Sequence, residues 1–487
     1  MKLNIVKNTT TLKMILLKAI YEIDKTFEVE IHNTLSHGLF GIIKNKEEIN
    51  EKEILEIKSH MDEIIRRNSE IIVLENNLDL IRKKSKTILR KDIIGIVNSA
   101  GWSSIKEYDL EGYTDYFYNE PYRHTGEVKN YDLIGYSNGF VLQFPIEEFS
   151  EKIPVFQKFN HLTSVQKETA EWNSIMDVSY IGSLNEKTMN GGIREVIRLN
   201  ETLHEIKLSK IADKIIANPD IKLVTIAGPS SSGKTTFAQR LTLHLKANKK
   251  FPLMISLDDY YIGRVNIPLD EKGDKDFESL YALDLELLNR NFRDLLNGKE
   301  VEVPQYDFVS GERKPKGKLL KMPENGILMV EGIHGLNEEI SKNIKKTEKL
   351  KIYISCLTQL NIDMHNRIPT NEVRKIRRIV RDSLSRGIVA EETLAMWNSV
   401  RCGEEKNIFK YQEEADVIFD SNLVYELGVL KKYALKELIR IKYDSPYYEK
   451  AKELIQFLYC FIDIEDKYVP EISILKEFIG GSYFYRY

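Results

Sequence analysis

The chain has 487 residues, 42% of them hydrophobic and 30% charged, with 71 Lys plus Arg against 74 Asp plus Glu. At about 150 residues per domain this leaves room for roughly three domains and a large core. The balance excludes a mainly disordered chain and a disulfide scaffold, and a net charge of -3 marks no global nucleic-acid or membrane partner.

The chain opens with apolar residues interrupted by Lys13, Lys18, Glu22 and Asp24. No apolar run reaches the length of a membrane span or a leader, so the expected location is the cytoplasm. Met14–Ile23 has helical spacing, and Glu47–Arg67 reads as a charged helix with Ile54, Ile57, Met61, Ile64 and Ile65 on one stripe. Tyrosines and glycines fill residues 108–145, and Phe140–Phe144 reads as a strand. Residues 1–150 are therefore expected to form an α+β module. Residues 151–217 read as a helical connector, with Arg194–Ala217 as a long helix stopped by Asn218-Pro219-Asp220. From Lys222 short β-branched runs alternate with helical stretches: Leu223–Ala227, Leu253–Leu257, Ile327–Val330, Lys351–Ser355 and Val417–Phe419. This alternation predicts a parallel sheet with crossover helices over residues 218–430, followed by a helical segment over 431–487. Cys356, Cys402 and Cys460 have no pair spacing and read as three buried thiols of a reducing compartment.

Gly228-Pro-Ser-Ser-Ser-Gly233-Lys234-Thr235 fits G-x-x-x-x-G-K-[ST], after a predicted strand and before a predicted helix. Glycines let the backbone curl so that several N–H groups face one anion, and the helix N-terminus adds partial positive charge. The expected nucleotide contacts are Gly228, Ser230, Ser231, Ser232, Gly233, Lys234, Thr235 and Thr236. Lys234 would reach the β- and γ-phosphates of ATP, and the Thr235 hydroxyl would face Mg²⁺. The second strand runs into Asp258-Asp259, where an acid can orient or deprotonate an acceptor hydroxyl. The third ends in Glu331-Gly332, an arrangement suited to holding Mg²⁺ with Thr235. Arg374, Lys375, Arg377, Arg378, Arg381 and Arg386 crowd one helix and its end, and are expected to form a lid over the triphosphate.

These motifs together make residues 222 to about 430 resemble the uridine kinase and phosphoribulokinase family. The resemblance implies an α/β P-loop NTPase kinase domain with a parallel sheet and flanking helices, behind the α+β module. Ser256-Leu-Asp-Asp-Tyr-Tyr261 is similar to the family's catalytic run and implies Asp258 as the catalytic acid. Asp276-Phe-Glu-Ser-Leu-Tyr-Ala-Leu-Asp284 implies Glu278 as the ribose-binding acid. Pro304-Gln-Tyr-Asp-Phe308 implies that Tyr306 faces the acceptor. Arg377 through Gly387 keeps the family's lid spacing, with Arg378, Arg381 and Arg386 set to spread over the transferring phosphoryl, Arg378 also touching substrate. Gly311 stands where uridine kinases place a base-contacting histidine, and Ile388 replaces a lid arginine.

The whole chain also resembles longer bacterial nucleoside kinases, in which the kinase follows a module similar to the second additional domain of threonyl-tRNA synthetase. His32-Asn-Thr-Leu-Ser-His-Gly-Leu-Phe-Gly41, residues 108–145, Ser399–Phe409 and Ile474–Gly481 carry that resemblance. No TGS domain is recognisable ahead of the module. His32 and His37 are five apart and no cysteine precedes Cys356, a poor pattern for zinc. His37 is expected to be a satisfied structural histidine. The implied reaction is transfer from MgATP to the 5′-hydroxyl of a uridine- or cytidine-like nucleoside. The alternatives are another hydroxyl acceptor, such as a sugar phosphate or pantothenate-like compound, or a nucleotide-switched RNA-associated regulator. For a phosphorylated acceptor, Arg313, Lys314 and Lys316 are the candidate cations. A small-molecule partner is expected rather than nucleic acid or membrane, and a homo-oligomer is left open.

Overall fold

In the computed structural model, the described residues are 3–77, 91–100, 104–269, 273, 275–307, 310–357 and 360–485. Helix α1 (Ile5–Ile23) starts nine residues before the expected Met14. Asn4 caps it by accepting from the Lys7 N–H at 3.0 Å. Thr10 and Thr11 would argue against a helix, but both hydroxyls donate back to carbonyls one turn earlier, those of Val6 and Lys7. From Thr10 to Ile20 every residue is buried, so α1 is the centre of the N-terminal core.

Strands β1 (Val29–Leu35) and β2 (Gly38–Ile43) follow as a hairpin. Then come α2 (Glu51–Arg67), β3 (Ile72–Asn77), α3 (Lys91–Ser99), β4 (Ser104–Leu110), β5 (Tyr113–Tyr116), β6 (Asp132–Tyr136) and β7 (Gly139–Gln143). They form two antiparallel sheets, in the orders β1-β2-β7-β6 and β3-β4-β5. Asn50 and Glu53 make a reciprocal capping box that fixes the start of α2.

Helices α4 (Asn160–Met176), α5 (Ile181–Met189) and α6 (Ile193–Ala217) lead into the parallel sheet. Its first strand is β8 (Leu223–Ala227), followed by α7 (Lys234–Ala247), β9 (Phe251–Ser256) and α8 (Leu285–Leu296). Short strands β10 (Val301–Val303), β11 (Tyr306–Asp307), β12 (Glu312–Arg313) and β13 (Lys318–Leu320) make two ribbons. Then follow β14 (Gly326–Glu331), β15 (Lys349–Ser355), α9 (Thr370–Arg386), α10 (Ala390–Asn407), β16 (Val417–Asp420), α11 (Glu426–Leu438), α12 (Tyr448–Leu458) and α13 (Lys476–Ile479). The five long strands form one parallel sheet in the order β16-β15-β8-β14-β9. Helices α5, α6, α11, α12 and α13 contribute to the same apolar core as β8, β15 and α9. Cys356 and Cys460 are buried in that core, whereas Cys402 is exposed on the outer face of α10, contrary to expectation.

The arginine-rich helix α9 is not a free lid. Arg374 and Arg377 are fully buried, and each faces a buried carboxylate, Glu404 and Glu426 respectively. Arg377 Nε donates to Glu426 at 2.7 Å, and its other nitrogens reach the carbonyls of Ser231 and Ser421. Lys375 is buried against Glu372. The cluster thus splits along the helix: Arg374, Lys375 and Arg377 in its first half are paired with Glu404, Glu372 and Glu426, and Arg378, Arg381 and Arg386 in its second half share Asp382.

The loop from β15 to α9 is held by the N-terminal region. Asn361 Nδ2 donates to Ile31 O at 2.9 Å, Ile31 N–H to Met364 O, and Lys13 Nζ to His365 O and Asn366 Oδ1. The same turn is tied within itself by Asp363, which accepts from the N–H groups of His365 and Asn366. The small module therefore grips the residues that lead into α9.

Removing one member of a buried pair leaves the other uncompensated, at a cost of about 3–5 kcal/mol. Arg377→Met should lower stability by that amount in urea unfolding. The double variant Arg377→Met/Glu426→Gln should recover most of it, and equal loss in both variants would count against the pairing.

Candidate functional site

The site is built at the carboxyl ends of three adjacent strands. β8 is central and runs into the loop Gly228–Gly233. β14 ends at Glu331, in register with Ile226 of β8 and Ser256 of β9. That register explains why the Ser256 hydroxyl donates to Glu331 Oε1 at 3.1 Å. Ser256 Oγ also accepts from the Asp258 N–H, fixing the short turn that carries Asp258.

The loop needs its glycines. Gly233 has φ +85°, and a Cβ on Gly228 would stand 2.1 Å from Ile354 O. Ser231 also sits in the left-handed region, at φ 59°. The expected contacts divide into three groups. All three polar groups of Ser230 are committed to the neighbouring helices: its N–H to Glu404, its carbonyl to Arg374 Nε and its hydroxyl to Arg378. Thr236 is committed to the C-terminal segment, its hydroxyl donating to Glu477 Oε2 at 2.7 Å and its N–H at 3.2 Å. Among the described residues, the buried hydroxyls of Ser231 and Ser232 have no partner. Such orphaned donors beside the N-terminus of α7 fit a phosphate chain. Lys234 Nζ donates to the carbonyls of Gly228 and Pro229, across the mouth of the loop, and Thr235 follows it, partly buried.

The carboxylates share one electrostatic field. Burial holds the Asp258 carboxyl above its ordinary range, against the pull of Lys234, Arg386 and Arg381. Burial, and then the like charge of Asp258, push Glu331 up to about 7. Burial and Glu404 push Glu278 up to about 7, while Arg378 and Lys234 pull it down. Glu278 fits against Gly403 of α10, where a Cβ would come within 2.4 Å of its own Cβ. Arg378, Arg381 and Arg386 all approach the buried Asp382, the first through Nε at 3.1 Å and the second through its terminal nitrogen at 2.8 Å. One carboxylate cannot neutralise three guanidinium groups, so a net positive field remains facing Asp258 and Glu278.

Tyr306 is buried, but its hydroxyl donates to Gly311 O at 3.0 Å and its ring packs on Tyr261. Its polar end is thus turned to its own hairpin. Gly311 has φ +74°, and a Cβ there would meet Arg264 Nε at 2.7 Å. Arg264, with no motif to announce it, lies over this position. Arg313 is structural, bonded to the carbonyls of Tyr260 and Tyr261 and to Asp284. Lys314 and Lys316 are exposed. Phe308 lies outside the described residues. In the N-terminal region His32 packs on Phe40, 6.1 Å between ring centroids. His37 is exposed at the β1–β2 turn and has no hydrogen bond among the described residues, so it is not the satisfied histidine expected. Glu404, Gly403, Glu477 and Arg264 were not legible as site residues, because their roles arise from packing across elements rather than from local pattern.

A central glycine-rich loop, acids at the ends of the next two strands, β14 and β9, and arginines near them define a P-loop kinase. The profile of the "Phosphoribulokinase / Uridine kinase family" matches residues 223–426. The uridine kinase of Staphylococcus epidermidis is 29% identical over 197 residues, covering 40% of this chain and 86% of that protein. The uridine kinase of Macrococcus caseolyticus is 30% identical over 178 residues, covering 37% of this chain and 77% of that protein. A solved D-glycerate 3-kinase from Cryptococcus neoformans aligns at TM-score 0.31 and 13% identity, over 41% of this chain and 87% of that one. The chain belongs to the phosphoribulokinase and uridine kinase family and is an ATP-dependent kinase. Among the described residues, no helix is long and apolar enough to cross a membrane.

A carboxyl whose native pKa is raised favours its protonated form in the fold. Its contribution to stability is therefore complete below the ordinary value of 4.5 and is lost as pH rises through about 7. Glu331→Gln should make the protein more stable than wild type at pH 8 in EDTA, by about 1–3 kcal/mol, with little difference at pH 4. Thermal unfolding at the two pH values measures this, and a loss of stability at pH 8 would contradict it.

Proposed function

We propose that the chain transfers the γ-phosphoryl group of ATP to the 5′-hydroxyl of a nucleoside, uridine- or cytidine-like. The observation that carries this reading is Asp258, a half-buried acid at the end of β9 whose carboxyl is held above its ordinary range, facing Lys234, Arg381 and Arg386. The names of the curated relatives support the nucleoside acceptor.

In this mechanism the loop amides and the hydroxyls of Ser231 and Ser232 hold the phosphate chain. Lys234 leaves the Gly228 and Pro229 carbonyls for the β- and γ-phosphates. Thr235 and Glu331 would hold Mg²⁺, which when bound neutralises charge on the phosphate oxygens. Glu278 accepts from the ribose hydroxyls and so sets the 5′-oxygen against the γ-phosphorus. Asp258 takes the proton of that hydroxyl as the oxygen bonds to phosphorus and the β,γ-bridge bond breaks, releasing ADP. Arg378, Arg381 and Arg386, held in a fan by Asp382, stabilise the charge on the equatorial oxygens. An acid held above the ordinary carboxylate range is a stronger base toward the acceptor than an exposed aspartate.

One observation favours a second acceptor class. Arg264 covers Gly311, where the resemblance to uridine kinases calls for a base-contacting histidine. A guanidinium there suits an acceptor that carries its own anionic group, such as a sugar phosphate. Residues 1–150 we read as the module of the longer nucleoside kinases, a reading supported by its grip on the loop before α9.

Asp258→Asn should lower kcat by about 10²- to 10⁴-fold and leave the KM for ATP nearly unchanged. Steady-state kinetics with saturating acceptor measures this. An unchanged kcat would remove Asp258 from the chemistry.

A further inference from the structure

Two cavities, of about 420 and 640 Å³, adjoin between the N-terminal region and the kinase domain, at the start of α9. Both are lined by Thr34 and His37 from the β1–β2 turn and by Arg367 and Pro369 from the loop before α9. Most cations around them are matched. Arg374 faces Glu404, Arg401 faces Glu404 and Glu405, and Lys450 faces Glu372 and Glu453. Arg367 differs. Among the described residues its guanidinium has neither a carboxylate partner nor a hydrogen bond. Burial pulls its pKa down to about 10, with no opposing charge to restore it. A guanidinium taken partly out of water without a counter-ion is a standing cost to the fold.

The surroundings hold Arg367 in place. Its backbone bridges to Asn361, within the turn tied by Asp363 and gripped by Lys13 and Ile31. Opposite it, Ser36 and His37 form a two-residue turn with φ of 47° and 63°, where asparagine or glycine would be unstrained. Gln143 Nε2 donates to Ser36 O at 3.0 Å, and the Gln157 N–H to Ser36 Oγ at 2.8 Å, fixing that turn. Lys410 is exposed on the larger cavity, and Phe159 and Phe409 give it apolar wall.

We propose that this cleft is a second ligand site, which binds the phosphate group of a small metabolite with Arg367 as its anchor. The guanidinium fork meets two phosphate oxygens, Lys410 and His37 meet the others, and the aromatic wall takes an organic remainder. The larger volume lies within the range of small-molecule sites. The site is separate from the ATP loop, so it is tested with that loop filled.

Full-length protein saturated with Mg²⁺ and a non-hydrolysable ATP analogue is titrated calorimetrically with inorganic phosphate and, separately, with phenyl phosphate. Both should bind the wild type, and Arg367→Gln should weaken each by about tenfold or more. His37→Ala, at an exposed position without a partner, should weaken them by a smaller factor and melt like the wild type. Tighter binding of phenyl phosphate points to a phosphate ester as the natural source, and tighter binding of inorganic phosphate points to the free ion. Absence of wild-type binding up to about 10 mM, or an unchanged affinity in both variants, would overturn the proposal.

Discussion

The buried pairing of α9 with two carboxylates is the constraint on which the site depends. Arg374 and Arg377 reach the carbonyls of Ser230 and Ser231, and Glu404 takes the Ser230 N–H. A loop that curls its amides toward an anion must turn some carbonyls the other way, and those need donors inside the protein. Buried guanidinium groups provide several donors each, and their own charge must be matched where they stand. Glu404 and Glu426 do this. The phosphate loop, α9, α10 and α11 are therefore fixed as one unit.

The second half of the same helix carries the opposite arrangement. Arg378, Arg381 and Arg386 share the single buried Asp382. The inner pairs are balanced and structural, and the outer set is left net positive toward Asp258 and Glu278. One helix thus separates the charge that stabilises the loop from the charge offered to a transferring phosphoryl group. The loop that starts α9 is in turn held by Lys13, Ile31 and Asn361, so the N-terminal region meets the kinase at the root of this helix.

Much of this was legible from local pattern. The β8 run Leu223–Ala227 is read with its exact ends because a β-branched strand abuts a glycine loop, and Glu331 is legible because four apolar residues precede it. The start of α1 was hidden, since Thr9, Thr10 and Thr11 have weak helix propensity and the back-bonding of Thr10 and Thr11 is visible only in the fold. The arginine cluster was legible as a cluster and not as a paired half and an unbalanced half, because the partners Glu404 and Glu426 lie 30 and 49 residues away. The same holds for Glu477 on Thr236, and for Arg264 over Gly311. Long-range pairing leaves no periodicity in the sequence. Tyr306 shows the reverse, a motif residue whose hydroxyl is turned into its own hairpin.

The central claim is phosphoryl transfer to a nucleoside hydroxyl. Incubation of the full-length chain with MgATP and a panel of nucleosides, sugar phosphates and pantothenate, with products read by mass, tests it most directly. The account predicts a nucleoside 5′-monophosphate formed in step with ADP. ADP and free phosphate without any phosphorylated acceptor, or a product only from a non-nucleoside, would contradict it.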